Sequence, residues 1–295
     1  MNIIQIPDCL KDIYLFEKFI LFRKKIFTDG DCVLDLSNIT FIEPYSMVGL
    51  ILTGREYLRN TSEKITLINI PFSVLQYLIR MNFTDTGIFN IEQKIDAKKL
   101  FKRSAFSKKV VEITEIPNKE TESISRISAI IAKFRSRAQF ILKYWLDDDI
   151  TDYFVTVISE VCQNIFEHSL DSGYISIQTY EYNNEKSVGF VISDSGIGID
   201  GSFEKYSKNQ YGTGAELIKN VLTEPISSKR DFGYGLCRVS NIVQQFKGSI
   251  FIRSNTSSVT MISRTDPDKK NEKFFFLKNN IPEFNGTQIS IILKA

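Results

Sequence analysis

Histidine is almost missing from this chain of 295 residues: His168 is its one copy. A zinc site built on histidines is thereby excluded, and the cysteines Cys9, Cys32, Cys162 and Cys237 are too dispersed to form the Cys-x-x-Cys pairs that could replace them. They read as reduced, buried thiols of a cytoplasmic protein. Long apolar runs are lacking as well. Nowhere do about 18 apolar residues follow one another, and Asp8 already interrupts the first ten, so neither a membrane span nor an export signal is expected. Excess charge of either sign is absent, with 37 Lys and Arg against 35 Asp and Glu, and a net charge of +2 offers no general attraction to nucleic acid.

The chain does have apolar residues enough, at 43%, to bury two cores, and its length suits two domains of about 100 to 200 residues each. Over residues 1–95, short apolar strands (3–6, 32–36, 65–70) alternate with helical stretches (10–27, 45–59, 72–81), which predicts a small α/β domain. The stretch 10–27 is amphipathic and carries Arg23-Lys24-Lys25; packing on a sheet is the expected use of its apolar side, in preference to a membrane surface. Lys98, Lys99, Lys102, Arg103, Lys108 and Lys109 mark a solvated basic linker over 96–109. A second domain follows over 110–295.

Three segments of that second domain belong together. In the first, Phe154, Val155, Ile158, Val161 and Ile165 recur at helical spacing and leave Glu160, Asn164 and His168 on a polar stripe. Residues four apart on a helix are neighbours, so Glu160 and Asn164 face one small volume in which a carboxylate can accept a proton and an amide oxygen can hold Mg2+. The second, Asp194-Ser195-Gly196-Ile197-Gly198, follows an apolar strand over 187–192 and turns sharply, with Asp194 placed to accept a hydrogen bond from an exocyclic amine. The third, Gly233-Tyr234-Gly235-Leu236, opens a helix to about residue 246 whose N-terminal amides suit phosphates. Gly286-Thr287-Gln288 adds a glycine and a hydroxyl ahead of a last strand at 289–293, and Gly212-Thr213-Gly214 opens a helix over 215–222.

Each segment alone is an ordinary helix face, turn or loop-to-helix junction. Taken in order, they resemble the N, G1, G2 and G3 boxes of the GHKL superfamily, which groups gyrase, heat-shock chaperone, histidine kinase and MutL ATPases. The likeness covers about residues 110–295 and is strongest toward the serine kinases that act as anti-sigma factors. It implies an α+β sandwich with helices on one face of a mixed sheet, binding ATP and Mg2+. It implies further that Glu160 is the general base, that Asn164 coordinates the metal, and that Asp194 binds the adenine amine over a floor of Gly196 and Gly198. Gly233, Tyr234, Gly235 and Leu236 would bring a lid over 199–232 against the phosphates, with Lys229 and Arg230 as further phosphate contacts and Thr287 near the base through water. An autophosphorylating histidine kinase is not expected, because His168 lies on the metal helix and no second histidine can serve as acceptor.

The run Val33-Leu34-Asp35-Leu36-Ser37-Asn38-Ile39-Thr40-Phe41-Ile42-Glu43 before a helix is similar to the STAS domains of anti-sigma-factor antagonists. Those domains usually carry an Asp-Ser-Ser-Gly phosphoacceptor loop where this chain has Glu43-Pro44-Tyr45-Ser46, so the N-terminal domain is expected to bind or regulate, with Ser46 or Tyr45 as the remaining acceptor candidates. The expected function is that of a Mg-dependent ATP-binding regulatory protein, a serine/threonine kinase or an ATP-hydrolysing switch; a non-catalytic ATP-gated switch is the alternative. A protein partner through the STAS-like domain and a homodimer are implied by the same likeness.

Overall fold

The computed structural model describes residues 2–28, 31–92, 107–118, 122–164, 171–183, 185–229, 233–264 and 272–294. The chain divides into two compact units, Met1–Phe106 and Ser107–Ala295. Among the described residues no helix is long and apolar enough to cross a membrane.

The first unit alternates strand and helix: β1 (Asn2–Gln5), α1 (Ile13–Arg23), β2 (Cys32–Asp35), α2 (Pro44–Thr61), β3 (Ile65–Ile68), α3 (Phe72–Arg80) and β4 (Phe89–Ile91). Its strands pair in parallel and in sequence order. Parallel neighbours cannot be joined by a tight turn, so each connection is a crossover with room for a helix. Asp12 caps α1 by accepting from the backbone N–H of Leu15 at 2.8 Å. Helix α2 opens on Pro44, whose missing N–H would have no intrahelical partner there. It is buried on all sides from Pro44 to Gly54, the pattern of a helix inside a core. Gly49 lies under the ring of Phe16, where any Cβ would overlap it, and Phe16 meets Tyr45 edge-on at 5.6 Å. Ser46 and Tyr45 share this interior, at 0% and 1% exposure. Neither hydroxyl is therefore presented as a phosphoacceptor, because Pro44 starts the helix early enough to wind both residues into its buried first turn.

The second unit contains β5 (Val110–Ile116), α4 (Ile124–Leu142), α5 (Asp148–Asn164), β6 (Gly173–Tyr182), β7 (Glu185–Asp194), α6 (Gly198–Lys205), α7 (Gly214–Thr223), α8 (Gly235–Gln245), β8 (Ser249–Asn255), β9 (Ser257–Arg264), β10 (Glu272–Lys278) and β11 (Phe284–Lys294). The sheet order is β10-β9-β8-β11-β7-β6-β5. The fold class is the expected α/β with helices on one sheet face, but the sheet, expected to be mixed, is antiparallel at every described pairing. The reason is connectivity: β6–β7 and β8–β9 are direct hairpins, and the helices are inserted in two groups, α4 and α5 between β5 and β6 and α6 to α8 between β7 and β8, instead of one per strand. Alternate strand residues such as Phe190, Ile192, Ile250, Ile289 and Leu293 form one core with Phe154, Ile158 and Val161 of α5 and Val239 and Ile242 of α8. Strand β11 lies mid-sheet, with Ile289 opposite Ile192 of β7 on one side and Ile252 of β8 on the other. That placement carries Gly286 and Thr287 to the end of β7, beside Asp194.

Candidate functional site

Strand β7 ends at Asp194, and the small residues after it fold back at once: the backbone N–H of Gly196 donates to Asp194 Oδ1 at 2.8 Å. The turn is held from β8 and β11. Asn255 donates from Nδ2 to the carbonyl of Ile197 at 3.1 Å and accepts from the N–H of Gly286 on Oδ1 at 3.1 Å. Ser254 accepts from the N–H of Ile199 at 2.8 Å. Gln288 donates to the carbonyl of Asp194 at 3.1 Å. Gly286 has φ +86°, and a Cβ there would overlap that same carbonyl, so only glycine lets β11 approach so closely.

A cleft with about 840 Å³ of empty space, counted out to solvent, opens beside this turn. Asp194, Gly198 and Thr287 line one end of it, and Gly233, Gly235 and Leu236 line another part. Its apolar walls come from Val161, Ile192, Ile199, Phe203, Val221 and Ile289. Burial pushes the Asp194 carboxyl up to about 7, with neighbouring Asp171 adding to the rise and the N–H groups of Gly196 and Thr287 opposing it. Asp171 is itself tied into the turn, accepting from the Ser195 hydroxyl at 2.7 Å.

Helix α8 begins at the cleft, and its N-terminus differs from that of α7, which meets the cleft at Val221 near its other end. The first amides of α7 are already taken: Gly214 N–H donates to Asp200 at 2.6 Å and Ala215 N–H to Asn279 at 2.9 Å. Among the described residues no side chain caps α8, which starts at Gly235. Of the two, α8 is the end that suits an anion.

Glu160 lies one residue before Val161 on α5, outside the cleft lining, and accepts from Arg238 Nη1 at 2.8 Å. Arg238 belongs to the first turns of α8 and also sits over the ring of Tyr234 at 5.0 Å. The structure thus brings Asp194, Gly196, Gly198, Gly233, Gly235, Leu236 and Thr287 to one region, with Glu160 and Tyr234 linked to it through Arg238. Lys229 is elsewhere: its ammonium lies 5.9 Å from the Tyr206 ring, and it does not line the cleft. The Asn164 side chain, Arg230 and His168 lie outside the described residues. Sequence reasoning missed Arg238, Asn255, Ser254 and Asp171. A positive charge one turn after a phosphate-type glycine pair is a signal for Arg238, but nothing in the spacing pairs it with Glu160, 78 positions away.

The donor set fits a purine nucleotide: a buried acceptor for an amine, apolar walls for a flat ring, and a helix N-terminus with two glycines for phosphates. Among the described residues no three His, Cys, Asp or Glu side chains gather as a metal cluster. No curated protein matches the chain. A family model described as Histidine kinase-, DNA gyrase B-, and HSP90-like ATPase does match residues 150–278, the stretch that runs from α5 through β10, and with the geometry above it supports an ATP-binding unit of the GHKL superfamily in this part of the chain.

Proposed function

We propose that this chain is a Mg-dependent, ATP-using regulatory protein of the anti-sigma-factor kinase type, in which Glu160 takes the proton of an attacking hydroxyl. The observation that carries the reading is the cleft itself, with the buried Asp194 carboxyl at one end, the uncapped N-terminus of α8 near another, and Glu160 beside its wall at Val161. ATP is the substrate, and its terminal phosphorus is the electrophile. The hydroxyl belongs to water or to a serine or threonine of a partner; its oxygen bonds to phosphorus as the bond to ADP breaks, and its proton passes to Glu160. Asn164 and the phosphates would hold Mg2+, which would supply charge neutralisation. Lys229 and Arg230 are candidate lid contacts that meet the phosphates when the lid reorders.

Residues 1–95 are read as a STAS-like regulatory domain, 96–109 as the linker and 110–295 as the ATP-binding domain. The alternation of parallel strands and helices from β1 to β4 supports the first of these. Burial of Ser46 and Tyr45 favours a role in binding partners over one as phosphoacceptor. The free thiols Cys9, Cys32 and Cys162, all buried, support a reducing, cytoplasmic setting. A homodimer is the proposed assembly.

The test is incubation of the purified chain with Mg2+ and γ-labelled ATP, following free phosphate and labelled protein together, with Glu160→Ala as control. Phosphate release or serine/threonine label that vanishes in the variant supports the reading. Nucleotide binding with neither product, in wild type and variant alike and with candidate partners added, would establish the non-catalytic switch in its place.

A further inference from the structure

The ion pair between Glu160 and Arg238 is more than a surface contact. Glu160 precedes the cleft residue Val161 on α5, and Arg238 follows the cleft residues Gly235 and Leu236 on α8, so the pair, itself outside the cleft lining, ties together two helices that supply it. Both side chains keep about a third of their surface, at 34% for Glu160 and 39% for Arg238. An ion pair so exposed is held by little, on the order of 1 kcal/mol or less. A guanidinium, with five donors in a planar fork, gains more from a phosphate, which offers more charge and several acceptors, than from one carboxylate oxygen.

Resting on the ATP reading above, we propose that Arg238 is the residue that distinguishes a triphosphate from a diphosphate, and that it does so by exchanging Glu160 for the terminal phosphate. With no ligand, or with a diphosphate, Arg238 stays on Glu160 and occupies the carboxylate. With a triphosphate, Arg238 moves to the new anion, and Glu160 is left with free lone pairs. Arg238 is then a specificity residue toward the ligand and a positioning residue toward Glu160, and the availability of the base is tied to the phosphate it is meant to serve.

The experiment is calorimetric titration of the full chain with ADP and with the β,γ-imido analogue of ATP, each with Mg2+. The variants are Arg238→Leu, Glu160→Gln and the double variant. Losing one charged hydrogen-bond set at the terminal phosphate is worth about tenfold or more. Arg238→Leu is therefore expected to weaken the triphosphate analogue by that factor and to change ADP by less than about threefold. Glu160→Gln removes the competing anion and is expected to tighten the analogue several-fold while leaving ADP unchanged; in the Arg238→Leu background that gain disappears. Equal weakening of both nucleotides by Arg238→Leu, or a Glu160→Gln gain that persists without Arg238, overturns the exchange and leaves an ordinary ion pair. Arg238→Gln replaces Arg238→Leu if the latter fails to fold, and is read the same way. If the wild-type chain binds neither nucleotide, the ATP reading itself falls; if it binds both and the variants leave their ratio untouched, only the role of Arg238 does.

Discussion

The turn at Asp194, which lines the cleft, and the Glu160–Arg238 pair, which lies outside its lining, are built on opposite plans. Around Asp194 everything is fixed: the carboxyl is buried, its own turn donates to it, and Asn255, Ser254 and Gln288 fasten that turn to β8 and β11 in mid-sheet. Around Glu160 the polar groups are about a third exposed, joined by one ion pair, and carried on two separate helices, α5 and α8. A ring-binding end gains from rigidity, since a flat ligand must find its acceptor already desolvated. An end where charge moves between partners needs groups that can be released at small cost. On the reading proposed above, stiffness and looseness are thus divided between the two regions according to what each has to do.

The sharpest way to break this contrast is Gly286→Ala. The new Cβ would overlap the Asp194 carbonyl at a backbone φ of +86°, so steric and conformational costs act together and the chain should lose about 3 kcal/mol or more. Urea unfolding would register a lower midpoint, and nucleotide titration a loss of binding, since on the reading proposed above the displaced atom belongs to the residue that anchors the ring. If Gly286→Ala kept wild-type stability, the rigid end would be less constrained than its geometry indicates.

Asp194→Asn comes next and acts on binding and stability in opposite directions. The Asp194 carboxyl is raised to about 7 in the folded chain against 3.8 for an unperturbed Asp. Between about pH 4 and 7 the unfolded chain gives up this proton and the folded chain keeps it, so stability falls as pH rises through that window by an amount on the order of a few kcal/mol. The Asn variant should lose this slope and be the more stable protein at pH 8, its amide oxygen still accepting from Gly196, while adenine nucleotides bind about tenfold more weakly or worse because the amide presents donors to the amine. In the wild type, a ligand that prefers the carboxylate should bind up to about tenfold more tightly at pH 8 than at pH 6. Calorimetry in that range checks it, and an affinity indifferent to pH would argue that Asp194 does not meet the ligand as a carboxylate.

How far the sequence allowed this contrast to be seen follows from the range of the interactions. The helix from Gly235, the strand before Asp194 and the strand at 289–293 are legible because apolar periodicity and turn residues act over a few positions. The sheet order is not, because the insertion of β11 between β7 and β8 is decided by pairing between distant segments. Helix α4 left no motif to anchor a reading, although Ile127, Phe134 and Ile141 carry its buried face. At the rigid end, Asp194 and Gly198 stand out as a local motif, yet Asn255 and Gln288, which hold that motif in place, do not. At the loose end, Glu160 and the Gly233-Tyr234-Gly235 segment are visible and Arg238, the side chain that joins them, is not.

The smallest expected effect is on the stability cost of that join. Truncating Arg238 to Ala removes one hydrogen-bonded ion pair and its contact over Tyr234, yet the pair is partly solvated in the wild type and the Glu160 carboxylate left behind stays in contact with water. The stability change should stay below about 1 kcal/mol, shrinking further as added salt screens the pair already present in the wild type. Thermal melts of wild type and Arg238→Ala at low and high ionic strength measure this directly. A loss of several kcal/mol would show that the pair is a structural strut and would place the loose end on the same footing as Asp194. A difference within that small bound, alongside a large change in nucleotide preference, would show that this region is tuned for exchange of partners, with its contribution to folding kept low enough that releasing Arg238 leaves the core of the unit undisturbed.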